Sequence, residues 1–139
     1  TIELRVCDTP LTVERAAGLA CYLQALCRHL LERNEPPPEE DDYLVYTYNR
    51  FQACRFGLDG MMVNPKTREQ ISIREDVLAT VRHLVPHAEA LKSTAALDEI
   101  ERTAARAGNH ASFLRNRYND SGSVQSVVRA SVEALRHGP

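Results

Sequence analysis

Thr1-Ile2-Glu3-Leu4-Arg5-Val6-Cys7-Asp8 is the stretch around which the rest of the sequence is organised. Apolar and polar side chains alternate along it, which is the pattern of a half-buried β-strand in an antiparallel sheet. Glu3 and Arg5 are two residues apart and therefore share the polar face. A carboxylate and a guanidinium placed in this way suit a divalent cation and a phosphate. They equally suit a cross-strand ion pair on a solvated sheet face.

Composition limits the classes of protein to which the chain can belong. Its 139 residues, 43% of them hydrophobic, are enough for one domain or part of one. The net charge is −2, and the 17 Lys and Arg residues are scattered among 19 Asp and Glu. This balance provides no general attraction to nucleic acid or to a membrane. We expect no signal peptide, and no apolar run approaches the roughly 18 residues of a membrane span. We therefore expect a cytoplasmic protein.

The opening strand needs a sheet to join, because an isolated strand is not stable. The rest of the sequence offers at most one short hairpin, and the first residue is not Met. We therefore expect the chain to be the C-terminal piece of a larger protein, or one whose upstream part was lost.

Hydrophobic periodicity predicts a mainly α structure, with five or six helices, the opening strand and one small hairpin. The first helix begins after one of two candidate N-caps, Thr9 or Thr12, and runs to about Asn34. Its predicted apolar stripe is Ala16, Leu19, Ala20, Leu23, Leu26, Cys27, Leu30 and Leu31. An acidic, proline-containing linker follows at 35–42, in which Asp41 or Asp42 is expected to cap the next helix.

The second predicted helix, Tyr43 to about Leu58, carries the most distinctive residues. Its expected buried face contains Leu44, Tyr48, Phe51 and either Cys54 or Arg55. Arg50 and Arg55 are five residues apart, hence about 140° around the helix, and do not form one clamp. Gly57 and Gly60 end the helix. A hairpin follows, with strands at 61–63 and 70–73 and a turn at 64–67.

The remaining sequence is predicted to be helical. One helix begins at Ser72 or Arg74 and is interrupted or kinked at Pro86, and its buried side chains are expected to be Val77, Leu78, Val81 and Leu84. Further helices are expected at 94–107, with Leu97, Ile100 and Ala104 buried, and at 110–118, with Phe113 and Leu114 inward. Ser123 caps a last helix, in which Val124, Val127, Val128, Val132 and Leu135 are expected to be buried.

Cysteines and histidines form no complete metal motif. The four cysteines, Cys7, Cys21, Cys27 and Cys54, contain no Cys-x-x-Cys pair. We interpret them as small buried thiols in a reducing cytoplasm, in preference to a disulfide or a metal site. His83 and His87 have a helical spacing that can bind a metal, but no third ligand completes the set.

Three segments together resemble one family of enzymes. Residues 2–12 resemble the strand-to-helix segment of the bacterial carboxylate–amine ligases, also called the second glutamate–cysteine ligase family. The run Asn49-Arg50-Phe51-Gln52-Ala53-Cys54-Arg55-Phe56-Gly57-Leu58-Asp59-Gly60 is similar to that family's Asn-Arg-aromatic…Arg-aromatic-Gly-Leu helix. The ending, from Gly108 to Val128, is similar to its last two helices. The resemblance covers essentially the whole chain, and it implies that residues 1–139 are the C-terminal portion of a single catalytic domain with a glutamine synthetase-like fold.

The resemblance also implies a reaction and a set of site residues. A carboxylate of glutamate would attack the γ-phosphate of ATP, and the amine of cysteine or another amine would displace phosphate from the acyl phosphate. By the same resemblance, Glu3 would hold Mg²⁺ and Arg5 would grip the transferred phosphoryl group. Arg50 or Arg55 would contact nucleotide or substrate. Cys54 is interpreted as a packing residue.

A complete Mg²⁺ site needs more carboxylates than one strand supplies. The resemblance therefore implies association with the N-terminal part of the same protein and homo-oligomers, and the isolated chain is expected to be inactive. Two alternatives stay open, namely a non-catalytic helical binding or regulatory module and a degenerate family member. An upstream sheet rich in Glu-x-Glu pairs would favour the ligase.

Overall fold

Six α-helices and one hairpin make up the part of the chain that a computed structural model describes, residues 10–33 and 37–137. The elements are α1 (Val13–Glu32), α2 (Glu40–Phe56), a 3-10 turn (Gly57–Asp59), β1 (Met61–Val63), β2 (Gln70–Ser72), α3 (Ile73–Ala90), α4 (Thr94–Ala105), α5 (His110–Ser121) and α6 (Val124–His137). The mainly α prediction with one small hairpin is confirmed. The strand predicted at residues 1–8 lies outside the described residues. None of the described helices combines the length and the apolar character needed to cross a bilayer.

The core lies where α1, α3 and α4 pack together. Its buried side chains are Ala25, Val81, Leu84, Ala88, Leu97 and Ile100. Leu84 is completely buried. Gly18 faces α4, where a Cβ would lie 3.6 Å from the Ala96 carbonyl oxygen, so a small residue brings the two helices close together. The burial predicted for α4 is confirmed at Leu97, Ile100 and Ala104.

Helix α1 begins after Thr12, whose hydroxyl accepts a hydrogen bond from the Arg15 amide. The alternative start at Thr9 is therefore wrong. The predicted apolar stripe is wrong in part, because Leu30 and Leu31 are 54% and 86% exposed. The face that packs is centred on Gly18 and Ala25, since small side chains there allow the close approach of the neighbouring helices.

Helix α2 begins three residues earlier than predicted. Glu39 is its N-cap, and Asp42 lies inside the first turn, where its carboxylate accepts a hydrogen bond from the Glu39 amide at 2.9 Å. The expectation that Asp41 or Asp42 is the cap is therefore wrong. Acidic side chains are favourable in a first turn because they face the positive end of the helix dipole.

The hairpin has the antiparallel register Met61↔Ser72, Met62↔Ile71 and Val63↔Gln70. Its turn is organised by the Asn64 carboxamide oxygen, which accepts hydrogen bonds from the amides of Lys66 and Thr67. The hairpin leads directly into α3, whose N-cap Ser72 accepts a hydrogen bond from the Glu75 amide.

Helix α3 continues through Pro86 to Ala90, so the prediction of an interruption is wrong. Proline removes the hydrogen bond to the carbonyl four residues earlier, here that of Arg82. Arg82, Val85 and Pro86 are all exposed. Water can therefore satisfy that carbonyl, and the buried side of the helix is not disturbed.

Helices α5 and α6 pack against each other as a pair. Asn109 caps α5 by accepting a hydrogen bond from the Ser112 amide, and Gly122 ends it in the left-handed conformation with φ of 64°. In α6 the buried residues are Ala130 and Ala134. Of the larger side chains predicted to be buried only Val127 is half-buried and the other four are exposed, because α6 uses its small residues for packing. We call the exposed residues Val124, Val128, Val132 and Leu135 the outer stripe of α6.

Candidate functional site

Helix α2 carries both predicted ligand-binding arginines that the structure describes. Arg50 and Arg55 are exposed, and within the described residues neither forms a hydrogen bond or an ion pair. Their angular separation around the helix is the expected one, so they cannot form a single clamp. No described residue therefore competes with an external anion for either guanidinium.

The inner side of α2 is attached to the hairpin largely through polar contacts. The Asn49 side chain accepts a hydrogen bond from the Val63 amide at 2.7 Å and donates one to the Val63 carbonyl at 2.8 Å. Asp42 pairs with Arg68 at 2.9 Å. Asp42 and Asn49 are seven residues apart, hence on one face of the helix. The opposite face is therefore turned away from the hairpin.

We call that opposite side the outer face of α2 and define it as Leu44, Tyr48, Arg50, Phe51, Cys54 and Arg55. Leu44 and Phe51 are 69% and 60% exposed, and α2 has no buried residue. The prediction that Leu44, Tyr48 and Phe51 face a core is wrong within the described chain. Cys54 is exposed as well, so within the described residues it does not act as a packing residue. The physical reason is that α2 contacts the hairpin through the side that carries Asp42 and Asn49.

A groove of about 860 Å³ lies between the start of α2 and the hairpin turn. It is lined by Pro37, Pro38, Glu39, Asp42, Tyr43, Tyr46, Pro65, Lys66 and Arg68. Its charges are mixed, and the Arg68–Asp42 ion pair forms part of its wall. Neither Arg50 nor Arg55 is among these lining residues, so the groove is separate from the predicted ligand-binding arginines.

Arg74 ties the segment after α2 to the end of α4. Its guanidinium donates hydrogen bonds to the carbonyls of Ala104 and Arg106 and forms an ion pair with Asp59 at 2.8 Å. A cation at these carbonyls also compensates the negative end of the α4 dipole. Arg74 thus fixes the position of the 3-10 turn relative to the core.

His29 of α1 and His87 of α3 are joined across the core. His29 Nδ1 lies 3.0 Å from His87 Nε2, and Arg33 Nη1 lies 3.3 Å from His29 Nε2. A guanidinium can only donate, so His29 Nε2 accepts, and its Nδ1–H donates to His87. His87 Nδ1 then carries the proton and lies 3.4 Å from a Glu32 carboxylate oxygen. His83, four residues before His87 on α3, has its Nδ1 2.7 Å from the Ala79 carbonyl oxygen.

Perturbed titratable groups lie on α1, α3 and α5. Burial lowers the pKa of the Arg15 guanidinium, an effect that Glu99 partly offsets. Burial, with the nearby Arg15 charge, lowers the pKa of His110, and Glu99 opposes this shift. Burial raises the pKa of the Asp76 carboxyl, and burial with the Asp76 charge raises the pKa of the Tyr22 phenol. None of these groups is on α2, the helix that carries the predicted ligand-binding arginines.

Glu3 and Arg5, the predicted metal ligand and catalytic residue, lie outside the described residues. The structure therefore does not place them relative to Arg50 and Arg55. Across residues 10–33 and 37–137, no three His, Cys, Asp or Glu side chains form a group that could hold a metal ion. The roles of Glu3, Arg5, Arg50 and Arg55 stay predictions.

Sequence reasoning missed three structural residues, Asn49, Arg74 and His87. Asn49 had one usable signal, because it opens the Asn-Arg motif directly before a predicted hairpin. Arg74 and its partner Ala104 are 30 residues apart, and His87 and its partner His29 are 58 residues apart. No local sequence pattern indicates either contact.

Comparison with known proteins places these features in context. The model of glutamate–cysteine ligase family 2 matches residues 1–130. Curated relatives from Legionella pneumophila strains Corby, Lens and Paris are each 61% identical over 136 residues. Their names, which are given provisionally, are glutamate–cysteine ligase 2-2 for strain Corby and 2-1 for the other two. The match covers 98% of this chain and 36% of each relative, so the chain spans about a third of their length.

Proposed function

The chain belongs to glutamate–cysteine ligase family 2, and from this premise we propose that it is the C-terminal portion of an ATP-dependent carboxylate–amine ligase. Family membership is the observation that carries this proposal. The proposed catalytic domain has a glutamine synthetase-like fold, to which residues 1–139 contribute the helical part and one strand. The proposed substrates are ATP, glutamate and either cysteine or another amine, with Mg²⁺ as the metal ion.

The proposed reaction has two steps. A carboxylate oxygen of glutamate attacks the γ-phosphorus of ATP, the bond to the bridging oxygen breaks, and ADP leaves. The amine nitrogen then attacks the acyl carbon, inorganic phosphate leaves with the bonding electron pair, and the nitrogen loses a proton to give the amide. Catalysis of such a transfer rests mainly on positioning and on neutralisation of phosphate charge.

Four residues of this chain have proposed roles in that chemistry. Glu3 would hold Mg²⁺ through carboxylate oxygens, which are the ligands that this ion prefers. Arg5 would bind the transferred phosphoryl group with its planar, two-pronged guanidinium. Arg50 and Arg55 are available for nucleotide or substrate, since both are exposed and neither has a partner within the described residues.

The same proposal implies which polypeptides associate with this chain. The N-terminal part of the ligase would supply the remaining carboxylates of the metal site, and the enzyme would be a cytoplasmic homo-oligomer. The isolated chain should not release phosphate from ATP in the presence of glutamate and cysteine. Release above background, from protein free of contaminating ATPase, would contradict this expectation.

The test uses a full-length ligase in which this chain replaces the matched portion of a Legionella relative, hereafter the swapped ligase. Glu3→Gln removes the charge that would hold Mg²⁺, and Arg5→Lys keeps charge but loses the planar fork. Each should lower the rate of amide formation by about 100-fold or more, as the loss of one transition-state contact typically does. Unchanged turnover in either variant would remove that residue from the site.

Arg50→Ala and Arg55→Ala separate the two arginines of α2. We expect at least one of them to raise KM for ATP or glutamate, and the melting temperature of the 139-residue chain to be unchanged because both side chains are exposed in it. Arg82→Ala on the exposed side of α3 is the matched control. Unchanged kinetic constants in both variants would exclude α2 from substrate binding.

A second candidate is a non-catalytic helical binding module. The exposed apolar side chains of α2 and of the outer stripe of α6 favour it, because such surfaces commonly mark interaction sites. The activity of the swapped ligase distinguishes the two, since a binding module would not support amide formation.

A further inference from the structure

The outer face of α2 has the composition of an interface. Aromatic residues and Arg are enriched at the centres of protein–protein contacts, and they commonly supply most of the binding energy. Here Phe51 and Tyr48 are 60% and 37% exposed, and Arg50 and Arg55 have no partner within the described residues. Leu44, on the same face, is 69% exposed. The surface is therefore suited to an apolar partner that also brings carboxylates or phosphates.

The distribution of apolar residues around α2 supports the same conclusion. A helix with apolar residues on all sides is ordinarily enclosed by protein. The described residues enclose only the side of α2 that carries Asp42 and Asn49. The remaining sides of the helix thus require a partner that the described residues do not supply.

We propose that the outer face of α2 docks against the part of the ligase polypeptide that lies outside the matched residues. This inference rests on the proposed function. The match covers 36% of each relative, so nearly two thirds of a relative's length is available to form the partner surface. Arg50 and Arg55 would then lie at the boundary between the two parts, where they could meet bound substrate.

The small area of the outer face of α2 argues against a second copy of this chain as its docking partner. A helix of 17 residues is about 25 Å long, and one face of it presents on the order of 400 Å². Two copies in contact through this face would bury roughly 800 Å², whereas stable interfaces bury about 1,200–2,000 Å². The larger remainder of a ligase chain can surround the helix on several sides, which a second α2 cannot do.

Cys54 provides a native probe of the docking, because it is exposed on the outer face. We would measure its alkylation rate by site-resolved mass spectrometry in the 139-residue chain and in the swapped ligase. The expected result is a rate at least about 10-fold lower in the swapped ligase. Equal rates would overturn the proposal, as would a swapped ligase that fails to fold, since the remainder would then not accept this chain.

Two further measurements identify the occupant. Val128→Cys reports on the outer stripe of α6, and protection of this residue while Cys54 stays reactive would assign the docking to α6 instead. Light scattering of the 139-residue chain should show a monomer. A dimer in which Cys54 is protected would assign the face to a second copy and would overturn the proposal.

Phe51→Asp tests the same face by a change in stability. It should lower the melting temperature of the swapped ligase and leave that of the 139-residue chain unchanged, because the side chain is covered only in the former. Equal effects in both proteins would contradict docking.

Amide formation measured in parallel separates the two proposals. Protected Cys54 in an inactive swapped ligase would refute the proposed function and support the docking. An active swapped ligase whose Cys54 reacts as fast as in the 139-residue chain would refute the docking alone.

Discussion

Helices α2 and α3 are nearly equal in length, with 17 and 18 residues, but they differ completely in burial. Helix α3 buries Ile73, Val81, Leu84 and Ala88, whereas α2 buries no residue. The apolar residues of α3 recur along one stripe, which α1 and α4 cover. Those of α2 are spread around the helix, and its attachment to the hairpin is largely polar. The core of the described chain is therefore complete without α2. We expect α2 to be the helix that contacts a partner or a ligand.

The largest expected effect tests the difference in burial between α3 and α2. Leu84→Ala should destabilise the chain by about 2–5 kcal/mol, because it leaves a cavity at a fully buried position. Phe51→Ala on the outer face of α2 should change the stability by less than about 0.5 kcal/mol. Chemical denaturation of both variants measures the difference. Similar losses would show that α2 belongs to the same cooperative core.

A smaller effect is expected where the core meets the segment that follows α2. Arg74→Met retains the length of the side chain but removes its hydrogen bonds to Ala104, Arg106 and Asp59. Hydrogen bonds to a charged group contribute about 1.5–3 kcal/mol, so we expect a loss in this range. Arg82→Met on the exposed side of α3 is the control, with a change below about 0.5 kcal/mol. A variant as stable as the control would mean that Arg74 does not hold the 3-10 turn.

The smallest expected effect is a change in stability with pH that arises from His110, the first residue of α5. Burial and Arg15 lower the pKa of His110 in the folded chain, against the partial opposition of Glu99. The unfolded chain therefore binds this proton more readily, and the contribution of His110 to stability is present above about pH 6.5 and lost as pH falls. The effect should be well under about 1 kcal/mol, because solvent screens a partly exposed group.

His110→Gln is the variant that checks this sign. Melting temperatures measured from pH 8 to pH 5 should fall less steeply for the variant than for the parent chain. Identical slopes, or a steeper fall in the variant, would contradict the direction of the shift.

The sequence predicted the elements better than their burial. Helix α4 and its three buried residues follow from one clear apolar stripe, and Thr12 was one of the two N-caps that capping chemistry allowed for α1. In α6 the apolar stripe is equally visible, whereas the apolar residues of α2 are spread around the helix. In both cases the side on which the helix packs depends on its neighbours. Periodicity contains no information about those neighbours. It therefore predicted burial for Phe51 and Val128, which the described chain leaves exposed.

Prediction of the candidate site was limited for a different reason. The separation of Arg50 and Arg55 follows from helical geometry alone, and their exposure agrees with a ligand-binding role. The contact between His29 and His87 joins residues 58 positions apart, and only the packing of α1 on α3 brings them together. Glu3 and Arg5 stay predictions from the resemblance.

The contact between Asn49 and Val63 also protects the hairpin against unwanted association. The Asn49 carboxamide satisfies both the amide and the carbonyl of Val63, as a neighbouring strand would do. Unpaired edges of this kind are where foreign strands add and where aggregation begins. At Val63 that edge is already occupied, so an incoming strand would have to displace a side chain held by two hydrogen bonds. One amide side chain thus keeps this position of the two-stranded sheet from serving as a template for further strands.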